Sequence, residues 1–136
     1  MTTKILAATD GTGHSDHAIE AAALLSAKTG APLTIATVNV SLGSRGPMTL
    51  SHSDAEAKAI ADKAAATAKK LGAKVDGAVV LTGRDPGATI VGYAEQNGFD
   101  HIVTGTGDKH GVSRLVLGSV AGDIAARAHC TVTIAR

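Results

Sequence analysis

Ile102-Val103-Thr104-Gly105-Thr106-Gly107-Asp108, followed after nine residues by Gly118-Ser119, is the stretch that decides how this chain reads. The β-branched run has the character of a buried strand, the glycines mark a turn, and the alanine-rich pattern after Ser119 has helical spacing. Strand, glycine-rich loop and helix N-terminus, in that order, present backbone N–H groups to an anion such as a phosphate. Glycine suits the turn because a Cβ and a restricted φ would obstruct the approach of amides to phosphate oxygens. Gly105, Gly107, Gly111 and Gly118 meet that need. Ser119 is expected to cap the helix while its hydroxyl or amide faces the anion. A plain strand-to-helix connection with a capping serine would have the same spacing, and the spacing alone does not choose.

Outward from this stretch the chain alternates. Residues 4–9 form a short apolar run ending in Asp10-Gly11-Thr12-Gly13, a strand and turn, and Ser15 is the expected cap of a helix over 16–28 that Gly30 stops. A second strand is expected over 33–40, then a surface loop over 41–53 rich in Ser, Gly and Pro. Ser53 with Glu56 three residues on predicts a capping box at the start of a helix over 54–71. A strand over 75–81, a helix over 87–96, a strand over 101–104, a helix over 119–128 and a strand over 131–135 complete the pattern. Such alternation predicts an α/β fold, one domain over 1–136, with a five-stranded parallel sheet sandwiched by helices. It is a Rossmann-like or flavodoxin-like open twisted sheet of strand order 3-2-1-4-5. Ligands of such sheets bind beyond the carboxyl ends of the strands, here Asp10-Gly11, Val38-Asn39, Thr82-Gly83 and Gly105-Thr106. Asp10 itself reads equally as a ribose or metal partner and as an Asx turn.

Composition narrows the function. Of 136 residues 44% are hydrophobic, which suits one ordinary core. Tyr93 and Phe99 are the only aromatics and the net charge is +1, so stacking platforms and a basic footprint for nucleic acid are both missing. No apolar run approaches the roughly 18 residues of a membrane span. The N-terminal residues show no signal-peptide pattern, so the cytoplasm is the expected location. Cys130 allows no internal disulfide and reads as a packed thiol. His14 and His17 flank Asp16 at a helix entrance, but no further His or Cys has zinc-site spacing, so solvated polar residues are expected there.

Residues 105–119 resemble the G-x2-G-x9-G-[S/T] signature of the universal stress protein family, with Asp108 in place of the second glycine. Residues 4–14 are similar to that family's opening strand and its T-D-G-S turn. Gly83-Arg84-Asp85-Pro86 with Ile90 resembles its G-x-x-P stretch, and Leu115-Val116-Leu117-Gly118-Ser119-Val120 with Val132-Thr133-Ile134 its closing block. The resemblance implies an adenine nucleotide, ATP foremost, with or without Mg²⁺. It places Thr9 and Asp10 at ribose or base, Val38 at adenine, and Gly105, Thr106, Gly107, Asp108, Gly118, Ser119 and Val120 around ribose and phosphates. It also implies a homodimer through the last strand, a stress-response sensor or regulator, and a loop over 41–53 able to close on the pocket.

Asp108 departs from the signature. A carboxylate about 4 Å from one unit of phosphate charge is repelled by roughly 1–4 kcal/mol. Gly107, Lys109, Arg114, an outward side chain or a divalent cation would each offset that repulsion. The alternative is a homodimeric interaction module of the same fold that binds no nucleotide. Gly122 stands where the family carries a capping glutamate, so the last helix should start more weakly, with Asp123 favouring its dipole.

Competing functions lack their residues. A dinucleotide fingerprint belongs after a first strand and needs an acidic residue about 20 positions on. A phosphoryl-accepting receiver domain needs an acidic pair after the first strand and an aspartate after the third, and Leu81-Thr82-Gly83 offers none. Neither a Walker lysine nor a nucleophile–base pair stands out, so the chain reads as a binding protein rather than an enzyme, slow ATP hydrolysis aside.

Overall fold

A computed structural model describes residues 2–43, 49–107 and 117–136. Its elements run β1 (Ile5–Ala8), α1 (Gly13–Thr29), β2 (Leu33–Leu42), β3 (Thr49–Leu50), α2 (Asp54–Lys70), β4 (Val75–Gly83), α3 (Pro86–Gln96), β5 (His101–Gly105), α4 (Ser119–Arg127) and β6 (Thr131–Ala135). Five strands lie parallel in the order β4-β2-β1-β5-β6, which is the expected 3-2-1-4-5 order counted without β3.

β1 shows why this sheet needs helices on both faces. Ile5 and Ala7 point into a core with Ile19, Ala22 and Ala23 of α1 and Ala64, Ala65 and Ala68 of α2. Leu6, between them, points into a second core with Ile90 of α3, Phe99, Ile102 and Ile124 of α4. The strand's period of two thus feeds both layers, as a buried parallel strand requires. Alanines on the buried sides of α1 and α2 let those helices lie close to the sheet.

Most boundaries fall within two residues of the sequence expectation, and the departures that shape the site each have a physical reason. The sheet has a sixth member: β2 runs on to Leu42, and β3 pairs antiparallel with it, Ser41 opposite Leu50 and Leu42 opposite Thr49. Part of the expected loop over 41–53 is therefore ladder. Residues 44–48 of that loop, at the centre of the segment expected to close on the pocket, lie outside the described residues. The buried Asn39 holds the return: its Nδ2 donates to the His52 carbonyl at 2.8 Å and its Oδ1 accepts from the His52 amide at 2.9 Å.

Ser15 is not the cap of α1. The helix starts at Gly13 with Thr12 as N-cap, and Thr12 makes no side-chain cap bond because its hydroxyl donates to Asp10 Oδ1 at 2.6 Å. Likewise Ser119 is the first residue of α4, and Gly118 is its N-cap. Asp123 lies past the first turn of α4, which holds no acidic residue, and the helix has no side-chain cap bond. The Ser53–Glu56 capping box forms as expected: the Glu56 amide donates to the Ser53 hydroxyl at 3.1 Å and the Ser53 amide to Glu56 Oε1 at 3.0 Å.

Candidate functional site

The chain builds outward from β1 on one side and returns to β5 on the other, so strand direction of growth reverses between β1 and β5. Crevices form at that reversal, beyond the carboxyl ends of the strands. A cavity of about 420 Å³ opens there.

Its floor comes from small side chains. Ala8 of β1 and Ala36 of β2 are register partners and both line the cavity. Larger residues at that pair would fill the space. Val38 and Val40 of β2 with Pro86 and Ile90 of α3 add an apolar wall. Such a wall suits a flat apolar ring system better than a charged group.

The opposite wall is backbone and glycine. Gly105 ends β5 against the first turn of α1, where an added Cβ would stand 2.7 Å from the His14 carbonyl oxygen. Gly107 has a φ of +66°, a left-handed conformation that favours glycine. Gly118 packs directly on it: a Cβ on Gly118 would lie 2.8 Å from the Gly107 carbonyl oxygen and 3.0 Å from its Cα. The Gly118 amide donates to the Thr106 carbonyl at 2.7 Å, tying the exit of β5 to the start of α4. Ser119 and Val120 then open α4 at the cavity wall. The free N–H groups of a helix's first turn carry partial positive charge, and two such ends, of α1 and α4, meet this wall.

Asp10 stands at the rim in an Asx turn. Its Oδ1 accepts from the Thr12 amide at 2.9 Å and from the Thr12 hydroxyl. Desolvation pushes the carboxyl up, but the Thr12 and Ser15 hydrogen bonds outweigh it and hold Asp10 below the usual carboxylate range. The turn reading of Asp10 is thereby realised, and the residue also lines the cavity. Behind it Thr9 and Ser15 are buried, their hydroxyl oxygens 2.8 Å apart, and the Ser15 hydroxyl lies 2.9 Å from the Thr12 carbonyl.

Of the residues expected to face a ligand, Thr9, Asp10, Val38, Gly105, Gly107, Gly118, Ser119 and Val120 come together around this one cavity. Thr106 is outside its wall and serves it through the carbonyl that holds Gly118. Asp108, and with it Lys109, His110, Gly111 and Arg114, lies outside the described residues. His14, expected as a solvated polar residue at a helix entrance, is exposed and also lines the cavity four residues beyond Asp10, and the Ala8–Ala36 floor has no counterpart in the sequence reading. A partial signal for the floor is present in β1, where Ala7-Ala8 follow Ile5-Leu6.

Elsewhere Cys130 is partly buried beside a hollow of about 90 Å³, and burial pushes its thiol up, as a packed cysteine requires. Among the described residues no group of three or more His, Cys, Asp or Glu gathers as a metal site, and no helix is long and apolar enough to cross a membrane.

A model of the universal stress protein family matches residues 1–136. Universal stress protein MJ0531 of Methanocaldococcus jannaschii is 43% identical over 51 residues, a match that spans 38% of this chain and 30% of that protein. A universal stress protein from Archaeoglobus fulgidus superposes with a TM-score of 0.81 at 22% identity over the whole of both chains. A universal stress protein solved in complex with cAMP superposes with a TM-score of 0.77 at 25% identity, covering 99% of this chain and 97% of that one.

Proposed function

The chain belongs to the universal stress protein family, and from that premise we propose that its cavity binds an adenine nucleotide, ATP foremost, in a cytoplasmic sensor or regulator of the stress response. The observation that carries this reading is the Gly107–Gly118 contact at the start of α4, a wall of backbone where a side chain would not fit. In this reading the base lies along Val38, Val40 and Ile90, the ribose is near Asp10, and the phosphates face Gly105, Gly107, Gly118 and Ser119. The cAMP complex of a relative at 25% identity supports the ligand class. In this reading the chain binds the nucleotide as a sensor and does not serve to turn it over, slow ATP hydrolysis aside.

A second reading comes from Asp108, the residue that breaks the signature. In it the same fold serves as a nucleotide-free homodimeric interaction module. β6 is a sheet edge in the described residues, so either reading accommodates a dimer built through that strand. Thermal shift with ATP, ADP, AMP and cAMP, each with and without Mg²⁺, separates the two. A ligand that binds only the folded chain raises the melting temperature. No shift in the natural protein, with a shift gained in Asp108→Gly, selects the second reading. No shift in either form ends the nucleotide reading.

A further inference from the structure

We propose that His14 is a cationic contact for the ligand's phosphate and makes binding in this cavity proton-linked, an inference that rests on the adenine-nucleotide reading above. Among the described residues lining the cavity, only Asp10 and His14 have ionisable side chains, and neither lysine nor arginine is present. Of these described side chains an anion meets one fixed negative group and one group able to become positive.

Backbone contacts fix where His14, an exposed residue, stands. His14 is the second residue of α1, and its carbonyl lies where a Cβ on Gly105 would clash, at 2.7 Å. The first turn of α1 is thus pressed onto the residue at which the chain leaves β5. His14 shares this end of the cavity with Gly107, Gly118 and Ser119, while Val38 and Val40 stand on β2, with β1 between. In the nucleotide reading these walls sort the apolar base and the charged phosphate to different ends, and His14 belongs to the phosphate end.

A phosphodiester keeps its single charge across the interval in which an imidazole loses its proton, between about pH 5 and 8. Affinity for such an anion is therefore higher at the acidic end. Among the described residues, the other groups facing His14 do not reproduce that slope. Asp10, from the exit of β1, is held below the usual carboxylate range and is ionised throughout. From the exit of β5 come Thr104 and Gly105, and from the start of α4 Ser119 and Val120, none of them titratable in this range. Asp123 lies beyond that first turn, against Gly87 of α3. From α2, Ile60 packs near Gly11, and Glu56 is held ionised by its bonds to Ser53. Arg136, after β6, keeps its charge. On α1 itself Asp16 and His17 are exposed in the same turn, which makes His17 the necessary control.

The test is calorimetric titration of the whole chain with cAMP and, separately, with uncharged adenosine, at about pH 5.5 and about pH 8. Natural protein and His17→Gln should bind cAMP roughly two- to fivefold more tightly at the acidic pH, the range of an exposed ion pair. Adenosine should bind alike at both. His14→Gln, which keeps a donor without the charge, should bind cAMP at both pH values with the affinity the natural protein has at the higher one. A flat cAMP profile in the natural protein, a slope kept in His14→Gln, or an equal slope for adenosine overturns the inference and leaves nucleotide binding standing. Failure of both ligands to bind at either pH overturns this inference, and the thermal shifts with ATP, ADP and AMP then decide the nucleotide reading separately.

Discussion

Gly118 packs on Gly107 so closely that a Cβ on the first would stand 2.8 Å from the carbonyl oxygen of the second. The intruding atom would meet backbone on every near side, Gly107 Cα and the Thr106 carbonyl included, so no side chain can swing away to admit it. Gly118→Ala should therefore move the start of α4 and abolish the nucleotide-induced thermal shift. The overpacking should lower stability by about 1–3 kcal/mol. Urea denaturation and thermal shift on the same sample check both halves; an alanine variant that keeps its full ligand response contradicts the cradle.

Asp108 tests the anion end from the other direction. Its replacement by glycine restores the family's spacing and removes a carboxylate from the signature. Asp108→Gly should tighten ATP binding by about ten- to a thousandfold if that charge lies about 4 Å from phosphate, while adenosine affinity stays put. Equal gains for ATP and adenosine would assign the effect to backbone freedom instead of charge.

Asp10 predicts a pH dependence of stability. Its folded-state carboxyl is held below the ordinary value, so its stabilisation is complete above the unfolded carboxylate range and is lost as pH falls through the lower folded value. Asp10→Asn should be less stable than the natural protein near neutrality, and the gap should close below about pH 4. Urea midpoints measured across that range decide it; a constant gap would sink the argument.

Asn39 is buried with both ends of its amide committed to His52. Asn39→Ala strands a backbone donor and acceptor at the point where the chain returns from β3 to α2. A loss of about 1–3 kcal/mol is expected. Faster amide exchange at Ser51 and His52, with β1 and β5 unchanged, would mark the damage as local.

Some of this was legible before any coordinates. The Ser53–Glu56 box spans four consecutive positions, and its two hydrogen bonds depend on nothing further away. Asx geometry at Asp10 is equally local, set by a residue two positions on. Ser15 and Ser119 were misread as caps for the opposite reason. Thr12 gave its hydroxyl to Asp10, and the start of α4 was set by the room left beside Gly107. β3 was missed because two residues carry no periodicity; only a paired partner, the far end of β2, makes them a strand.

The sequence by itself determined the alternation of buried strands and alanine-faced helices, and hence a parallel sheet with two covered faces. Each of those elements is specified by short-range patterning and by how much apolar surface it must hide. Tertiary structure decided which atoms share the cavity: His14 against Gly105, Ala8 beside Ala36, Gly118 against Gly107. Their closeness is a consequence of strand register and helix docking. Empty space between distant segments carries no local preference that a linear pattern could record.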